Sequence, residues 1–274
     1  GFLAGAALAV GGMAFQAVFH NPLATPFTLG VSSGASLGTA LALRFGISFA
    51  IFGIPAESMF GFAGAGLSIG LVYGLARAKP GFTTGAMLLA GVAISFFFSS
   101  LILFVQYTAD VFNSFRLLRW LMGGITVLGY DPVLTLLPFT LTAAFALFFL
   151  SHELNLLTIG DDLAMARGVD VPRVKRIMFI VVSLVVGGVV SICGPIGFIG
   201  MMAPHMCRLV VGENHRVLLP ATFLFGGAFL VVCDTAARTV LAPAEVPVGV
   251  ITAFLGGPFF LWLLLTRPTD RSIG

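Results

Sequence analysis

Charge is scarce in this sequence: Asp, Glu, Lys and Arg together make up 9% of its 274 residues. A dissolved globular domain of this length needs several times that ionic surface, so a soluble fold is excluded. Lysine occurs only at Lys79 and Lys175, and neither closes a GxxxxGK[ST] loop, so no ATP-hydrolysing loop of that kind is expected in this chain. The 14 basic and 11 acidic residues leave a net charge of +3 without a basic stripe interleaved with aromatics, which removes nucleic acid as a partner. Cys193, Cys207 and Cys233 show no CxxC spacing, so neither a disulfide framework nor a zinc site is expected. His20, His152, His205 and His215 are scattered without HExxH spacing and read as interfacial or capping residues, with no metal site expected.

What fills the chain is apolar residues, 58% of the total, with 34 glycines and a mean hydropathy of +1.08. Hydrophobic runs of roughly 17–25 residues, the helical length that crosses about 30 Å of hydrocarbon, recur along the whole sequence. They place spans at 2–19, 29–49, 58–76, 85–107, 132–151, 176–193, 196–211, 218–240 and 247–266. The expected fold is an all-α, polytopic transmembrane helical bundle of about nine spans, a single domain over 1–274. The first span has no basic n-region or cleavage site before it, unlike a signal peptide, and residue 1 is not expected to be the native start.

Lys and Arg set the orientation. With the 20–28 connection in the cytoplasm, Arg77, Lys79, Arg167, Arg173, Lys175, Arg176, Arg208, Arg216, Arg267 and Arg271 fall inside, and Arg44, Arg116, Arg119 and Arg238 outside. The polar interlude Leu154–Val169 then faces the cytoplasm. Asp161 and Asp162 favour a helix N-terminus there, Ala164 and Ala166 offer small contact faces, and Gly168 stops the helix, which together describe a docking element for a partner.

Two glycine series, Gly30-Gly34-Gly38 and Gly66-Gly70-Gly74, recur every four residues and read as helix-packing stripes. The first also contains a GxSxG match, but a hydrolase needs a strand before the serine and triad partners after it. Breaks at Asn21–Pro26, Cys193–Gly197, Ala242–Pro247 and Gly256–Pro258 are either turns between spans or irregular backbone lining a pathway. Asp234 and Arg238, four apart near the outer end of the eighth span, can pair; an acid held ionised by a neighbouring arginine is poorly suited to carrying protons, which weakens a secondary carrier. Ser95, Ser99, Ser100 and Gln106 present polar groups along the fourth span, either to a cargo or to a neighbouring helix.

Gly5-Ala-Ala-Leu-Ala-Val-Gly-Gly-Met-Ala-Phe-Gln16, Asn21-Pro-Leu-Ala-Thr-Pro26, Leu29-Gly-Val-Ser-Ser-Gly-Ala-Ser36 and Leu88-Leu-Ala-Gly-Val-Ala93 occur in order, followed by Trp120-Leu-Met-Gly-Gly124 and Gly194-Pro-Ile-Gly-Phe-Ile-Gly200. Ala203-Pro-His205, His215-Arg-Val-Leu-Leu-Pro220, Asp234-Thr-Ala-Ala-Arg238 and Glu245-Val-Pro-Val-Gly-Val250 complete the series. Over nearly the whole chain this resembles the FecCD-type permeases, membrane subunits of binding-protein-dependent ABC importers for iron-siderophores, haem and vitamin B12.

The resemblance implies ten helices, so the nine spans correspond to an N-terminally truncated permease whose first helix, with the family's Leu-Pro-Arg segment, is missing. It also implies a homodimer or a paired permease subunit in a bacterial or archaeal cytoplasmic membrane, two ATP-binding subunits that hold ATP and Mg, and an extracytoplasmic substrate-binding protein. This chain itself would hold no cofactor and would not be an enzyme. By the same resemblance the 154–170 segment couples to the ATPase, with Gly160, Asp161, Ala164 and Gly168 matching Gly-Glu-x-x-Ala-x-x-x-Gly and Asp161 replacing the glutamate. Asn21 and Leu23 match one part of a cytoplasmic gate and Thr84 and Gly85 a second part, where glycine stands for serine; Arg238 matches an arginine that meets the binding protein. An iron complex is the expected cargo and vitamin B12 the alternative, with a secondary carrier the reading from another class.

Overall fold

The computed structural model describes residues 1–51, 54–77, 84–125 and 129–266, except for the side chains of Arg77, Thr84, Leu264 and Thr266. The orientation argument drawn from Lys79, Arg267 and Arg271 lies outside the described residues. Among the described residues twelve helices follow one another: α1 Phe2–Phe19, α2 Val31–Arg44, α3 Ala56–Arg77, α4 Thr84–Thr108, α5 Val111–Leu121, α6 Asp131–Phe149, α7 Ser151–Leu157, α8 Asp161–Ala166, α9 Val171–Cys193, α10 Ile199–Val211, α11 His215–Thr239 and α12 Val248–Thr266. Six of them, α1, α3, α4, α6, α9 and α11, are long and apolar enough to cross a membrane. The chain is a multi-pass membrane protein.

The span expected over 29–49 is shorter, and the reason is local. At the end of α2 the Ile47 amide donates to Ala42 O and the Gly46 amide to Leu43 O, with Gly46 at φ +61. This is the Schellman closure that glycine permits. A two-residue antiparallel hairpin, β1 Ala50–Ile51 with β2 Ile54–Pro55, then leads into α3. Helix α5 lies in a stretch expected to be a connection: Asp110 caps it, its Oδ1 accepting from the Asn113 amide at 3.0 Å, which holds that carboxyl below the usual range. Residue Leu117 alone is buried on α5, so the helix lies across the end of the bundle.

Helix α1 is buried on every side from Ala4 to Phe19, the mark of a central helix. In lipid no hydrophobic force drives helices together, so close packing of small residues must do so. A Cβ at Gly5 would lie 2.4 Å from Gly226 O of α11, and one at Gly12 only 1.9 Å from Gly200 O of α10. The Gly30-Gly34-Gly38 series packs as expected, Gly34 against Gly64 O and Gly38 against Phe60 O of α3. The Gly66-Gly70-Gly74 series does not: a Cβ at any of the three meets nothing within 4 Å. Helix α3 turns Gly61, Gly64 and Ser68 toward its neighbours instead, leaving that series on its opposite, exposed face.

Between α9 and α10 the backbone is irregular, with Gly194 at φ +69 and Phe198 at φ +67. Gly123 allows it to approach, since a Cβ there would lie 2.4 Å from Pro195 O; Gly249 fits beside both, its Cβ 2.1 Å from Met122 O and 3.3 Å from Pro195 O. The Gly124 amide satisfies Cys193 O at 2.8 Å. This break is covered by protein, as non-helical backbone at membrane depth requires.

The central role of α1 predicts opposite outcomes for two single-methyl changes. Gly12→Ala should cost about 3 kcal/mol or more through overpacking against backbone that has no room to move, lowering the thermal midpoint in detergent by several degrees. Gly70→Ala should be neutral or stabilising by about 0.5–1 kcal/mol. Equal midpoints for the two variants would refute the assignment of the tight contact to Gly12.

Candidate functional site

Helices α7 and α8 lie at the end of the bundle where α1 finishes. The polar interlude is two short helices rather than one, because Gly160 at φ +130 adopts a conformation only glycine tolerates and breaks the chain there. Asp161 and Asp162 occupy the first turn of α8, where the helix dipole favours them. Gly168, at φ +85, closes α8: its amide donates to Met165 O and the Val169 amide to Ala164 O.

Four residue pairs fix this element to the bundle. Asn155 Oδ1 accepts from the His215 amide and from its Nδ1–H, both at 2.8 Å, tying α7 to the start of α11. Asp161 Oδ2 accepts from Lys175 Nζ, whose side chain is buried, while the carboxylate remains 38% exposed. Asp161 Oδ1 is shielded from solvent without a hydrogen bond and faces His20 Nε2 at 3.8 Å. His20 donates to Leu157 O, at the last residue of α7, and itself holds a left-handed conformation (φ +48) at the end of α1. A histidine there costs about 1 kcal/mol relative to glycine, a strain that the hydrogen bond to Leu157 O opposes.

Ala164 was expected to offer a small contact face outward; it is fully buried and packs α8 onto the bundle. The apolar side chains turned outward are Ile159, Leu163 and Met165, each at least half exposed. The sequence did not single them out, since Leu154, Leu156 and Leu157 of the same interlude are apolar too and face inward. Likewise Asp161 is not simply solvated, since it is the carboxylate partner of Lys175.

The gate candidates Asn21 and Leu23 follow His20 directly. Asn21 Oδ1 accepts from the Leu23 amide at 2.9 Å and Asn21 O from the Ala24 amide at 3.0 Å, a compact turn that leaves Leu23 half exposed. Behind it a cavity of about 400 Å³ is lined by Gln16, His20, Asn21, Arg208, Glu213 and His215, among others. Arg208 donates to Gln16 Oε1, and Gln16 Nε2 donates to Gly200 O at 3.4 Å. Thr84 opens α4, its side chain outside the described residues, and Gly85 stands in open space with nothing within 4 Å of a Cβ.

Arg238 is at the opposite end. Its Nε donates to Asp234 Oδ2 at 2.8 Å and its Nη2 to Ile125 O at 2.7 Å, so the expected local pair is present and a second anchor holds the guanidinium. It lines a cavity of about 350 Å³ with Glu57, Arg116, Arg119, Trp120, Asp234 and Glu245. Helix α5, missed in the sequence, supplies both Arg116 and Arg119. Among the described residues, no group of three or more His, Cys, Asp or Glu is placed to hold a metal ion.

An all-α bundle with a central glycine-packed helix, a short two-helix element at one end and charged cavities at both ends describes a membrane permease. The family model of the FecCD transport family matches residues 1–266, and the chain belongs to that family. It is 41% identical over 271 residues to the cobalamin import system permease protein of Halobacterium salinarum, covering 97% of this chain and 70% of that one. It is 35% identical over 269 residues to the hemin transport system permease protein of Yersinia pestis, covering 98% and 80%. A solved metal-chelate-type ABC transporter in an inward-facing conformation superposes with a TM-score of 0.88 at 30% identity, over 97% of this chain and 83% of that one. The chain is therefore an ABC importer permease.

The Asp161–Lys175 pair yields a stability prediction. Asp161→Asn should cost about 1–2 kcal/mol, less than the roughly 3–5 kcal/mol of a fully buried broken pair because the carboxylate is partly solvated. Lys175→Met in the same background should recover most of that loss, read as thermal midpoints of the purified protein. A single variant with an unchanged midpoint, or a double variant no better than the single, would contradict the pairing.

Proposed function

We propose that this chain is the membrane-spanning permease subunit of an ATP-driven importer that carries an iron complex, a siderophore or haem, across a bacterial or archaeal cytoplasmic membrane. Cobalamin is the second reading, favoured by the 41% identity to the archaeal cobalamin permease. The observation that carries the proposal is α8: a short helix braced from within by Ala164 and Lys175, closed by Gly160 and Gly168, and presenting Ile159, Leu163 and Met165 outward.

In this reading a separate ATPase subunit, with ATP and Mg, receives those apolar side chains, and two such subunits serve a permease pair, identical or related. The α8 end is cytoplasmic. Among the described residues it gathers Arg167, Arg173, Lys175, Arg176, Arg208 and Arg216, against Arg44, Arg116, Arg119 and Arg238 at the other end, which supports that orientation. Movement of α8 passes to the gate through His20, which bonds Leu157 and faces Asp161 on one side and precedes Asn21 and Leu23 on the other. Thr84 and Gly85 form the second part of the gate. Arg238, oriented by Asp234, meets the substrate-binding protein outside.

Leu163→Asp tests the proposal because the side chain is exposed and its loss leaves the fold intact. Association with the ATPase should weaken about 30-fold, the effect of losing a contact worth about 2 kcal/mol, and uptake should fall with it while the thermal midpoint stays unchanged. Normal co-purification of the ATPase and normal uptake by this variant would refute the docking role of α8.

A further inference from the structure

A third cavity, of about 420 Å³, lies between α2 and α4 along the second half of α4, from Ser95 to Gln106, and differs in chemistry from the two at the ends of the bundle. Its polar lining is Ser32, Ser33, Ser36, Ser95, Ser99 and Gln106; the rest is apolar, and it includes no charged side chain. Ser32 and Ser36 are 6% and 4% exposed, yet neither hydroxyl is hydrogen-bonded to any of the described residues. By contrast, Ser33 donates to Gly30 O at 3.0 Å and Ser95 to Gly91 O at 2.8 Å, the usual way a helical serine satisfies itself.

Polar groups gathered at membrane depth face a protein interior or water, not hydrocarbon. The groove is therefore a wet recess, bordered on α4 by the exposed Phe96 and Leu103. Its hydroxyls and the Gln106 amide can donate to neutral oxygen acceptors and accept from N–H groups. A carboxylate pressed against this lining would find no cation to pair with, whereas a neutral amide or hydroxamate needs none. At this volume the recess takes one edge of a chelate and not the whole of it.

Resting on the importer reading, we propose that this recess is a cargo subsite that selects chelates with an uncharged amide- or hydroxamate-rich periphery and disfavours carboxylate-bearing ones. The test uses the assembled importer, with its ATPase and binding protein, in proteoliposomes. Cys193, Cys207 and Cys233 are replaced, and Ser99→Cys serves as the reporter. Ser100→Cys, one position around the helix and outside the recess, serves as the control.

Maleimide labelling and uptake are measured with ferrichrome, cyanocobalamin, hemin and ferric dicitrate. An uncharged chelate that is transported should slow labelling of Ser99→Cys about tenfold when present at about ten times its Kd, and leave Ser100→Cys unchanged. Uptake of hemin or ferric dicitrate overturns the subsite while leaving the importer reading intact. Uptake of an uncharged chelate without protection of Ser99→Cys also overturns the subsite alone. If none of the four is transported and none protects, the importer reading falls and the subsite with it.

Discussion

Helix α1 meets α10 and α11 backbone to backbone, and this close approach holds the bundle together. Helices surrounded by lipid gain nothing from hydrophobic burial against one another, so adhesion rests on how closely backbones can meet. Gly5 against Gly226 and Gly12 against Gly200 let α1 occupy the centre of the bundle. Gln16, one turn further along the same helix, then joins the α10 backbone at Gly200 to Arg208 near the end of α10. The apolar remainder of α1, including Phe15 stacked on Phe179 of α9, completes a packed axis.

That axis gives the two ends of the molecule different work. At one end α1 terminates in His20, and the strained residue meets α7 and α8 just before the chain enters the Asn21–Pro26 turn. A push on α8 therefore has a short covalent and hydrogen-bonded route to the turn. At the other end the charged side chains of α5, α11 and the residues before α12 surround a separate cavity. The uncharged serine recess runs along the second half of α4.

Much of the fold was legible in the sequence because hydropathy and helix length decide it: each of the nine expected spans contains a helix. Boundaries were less accessible. The early end of α2 was written in Gly46 but hidden by the apolar run continuing through Ile47 and Phe49, and α5 escaped because an end-lying amphipathic helix has no long apolar stretch. The glycine spacing alone could not show that Gly66, Gly70 and Gly74 face open space, since periodicity identifies a face but not its neighbour. For the same reason Ala164 could be placed on α8 from sequence, while its inward direction, and the outward direction of Leu163, required the tertiary structure. Likewise, pairing of Asp161 with Lys175 joins residues 14 apart across two helices, beyond any local pattern.

The proposed importer requires α8 on the side of the membrane where ATP is hydrolysed and α5 on the other. Single cysteines at Asp162 and at Val111, both exposed, in a background lacking Cys193, Cys207 and Cys233, test it directly in intact cells. An impermeant maleimide should label Val111→Cys immediately and Asp162→Cys only after the membrane is permeabilised. Labelling of Asp162→Cys from outside, with Val111→Cys protected, would contradict the orientation and the coupling role that depends on it.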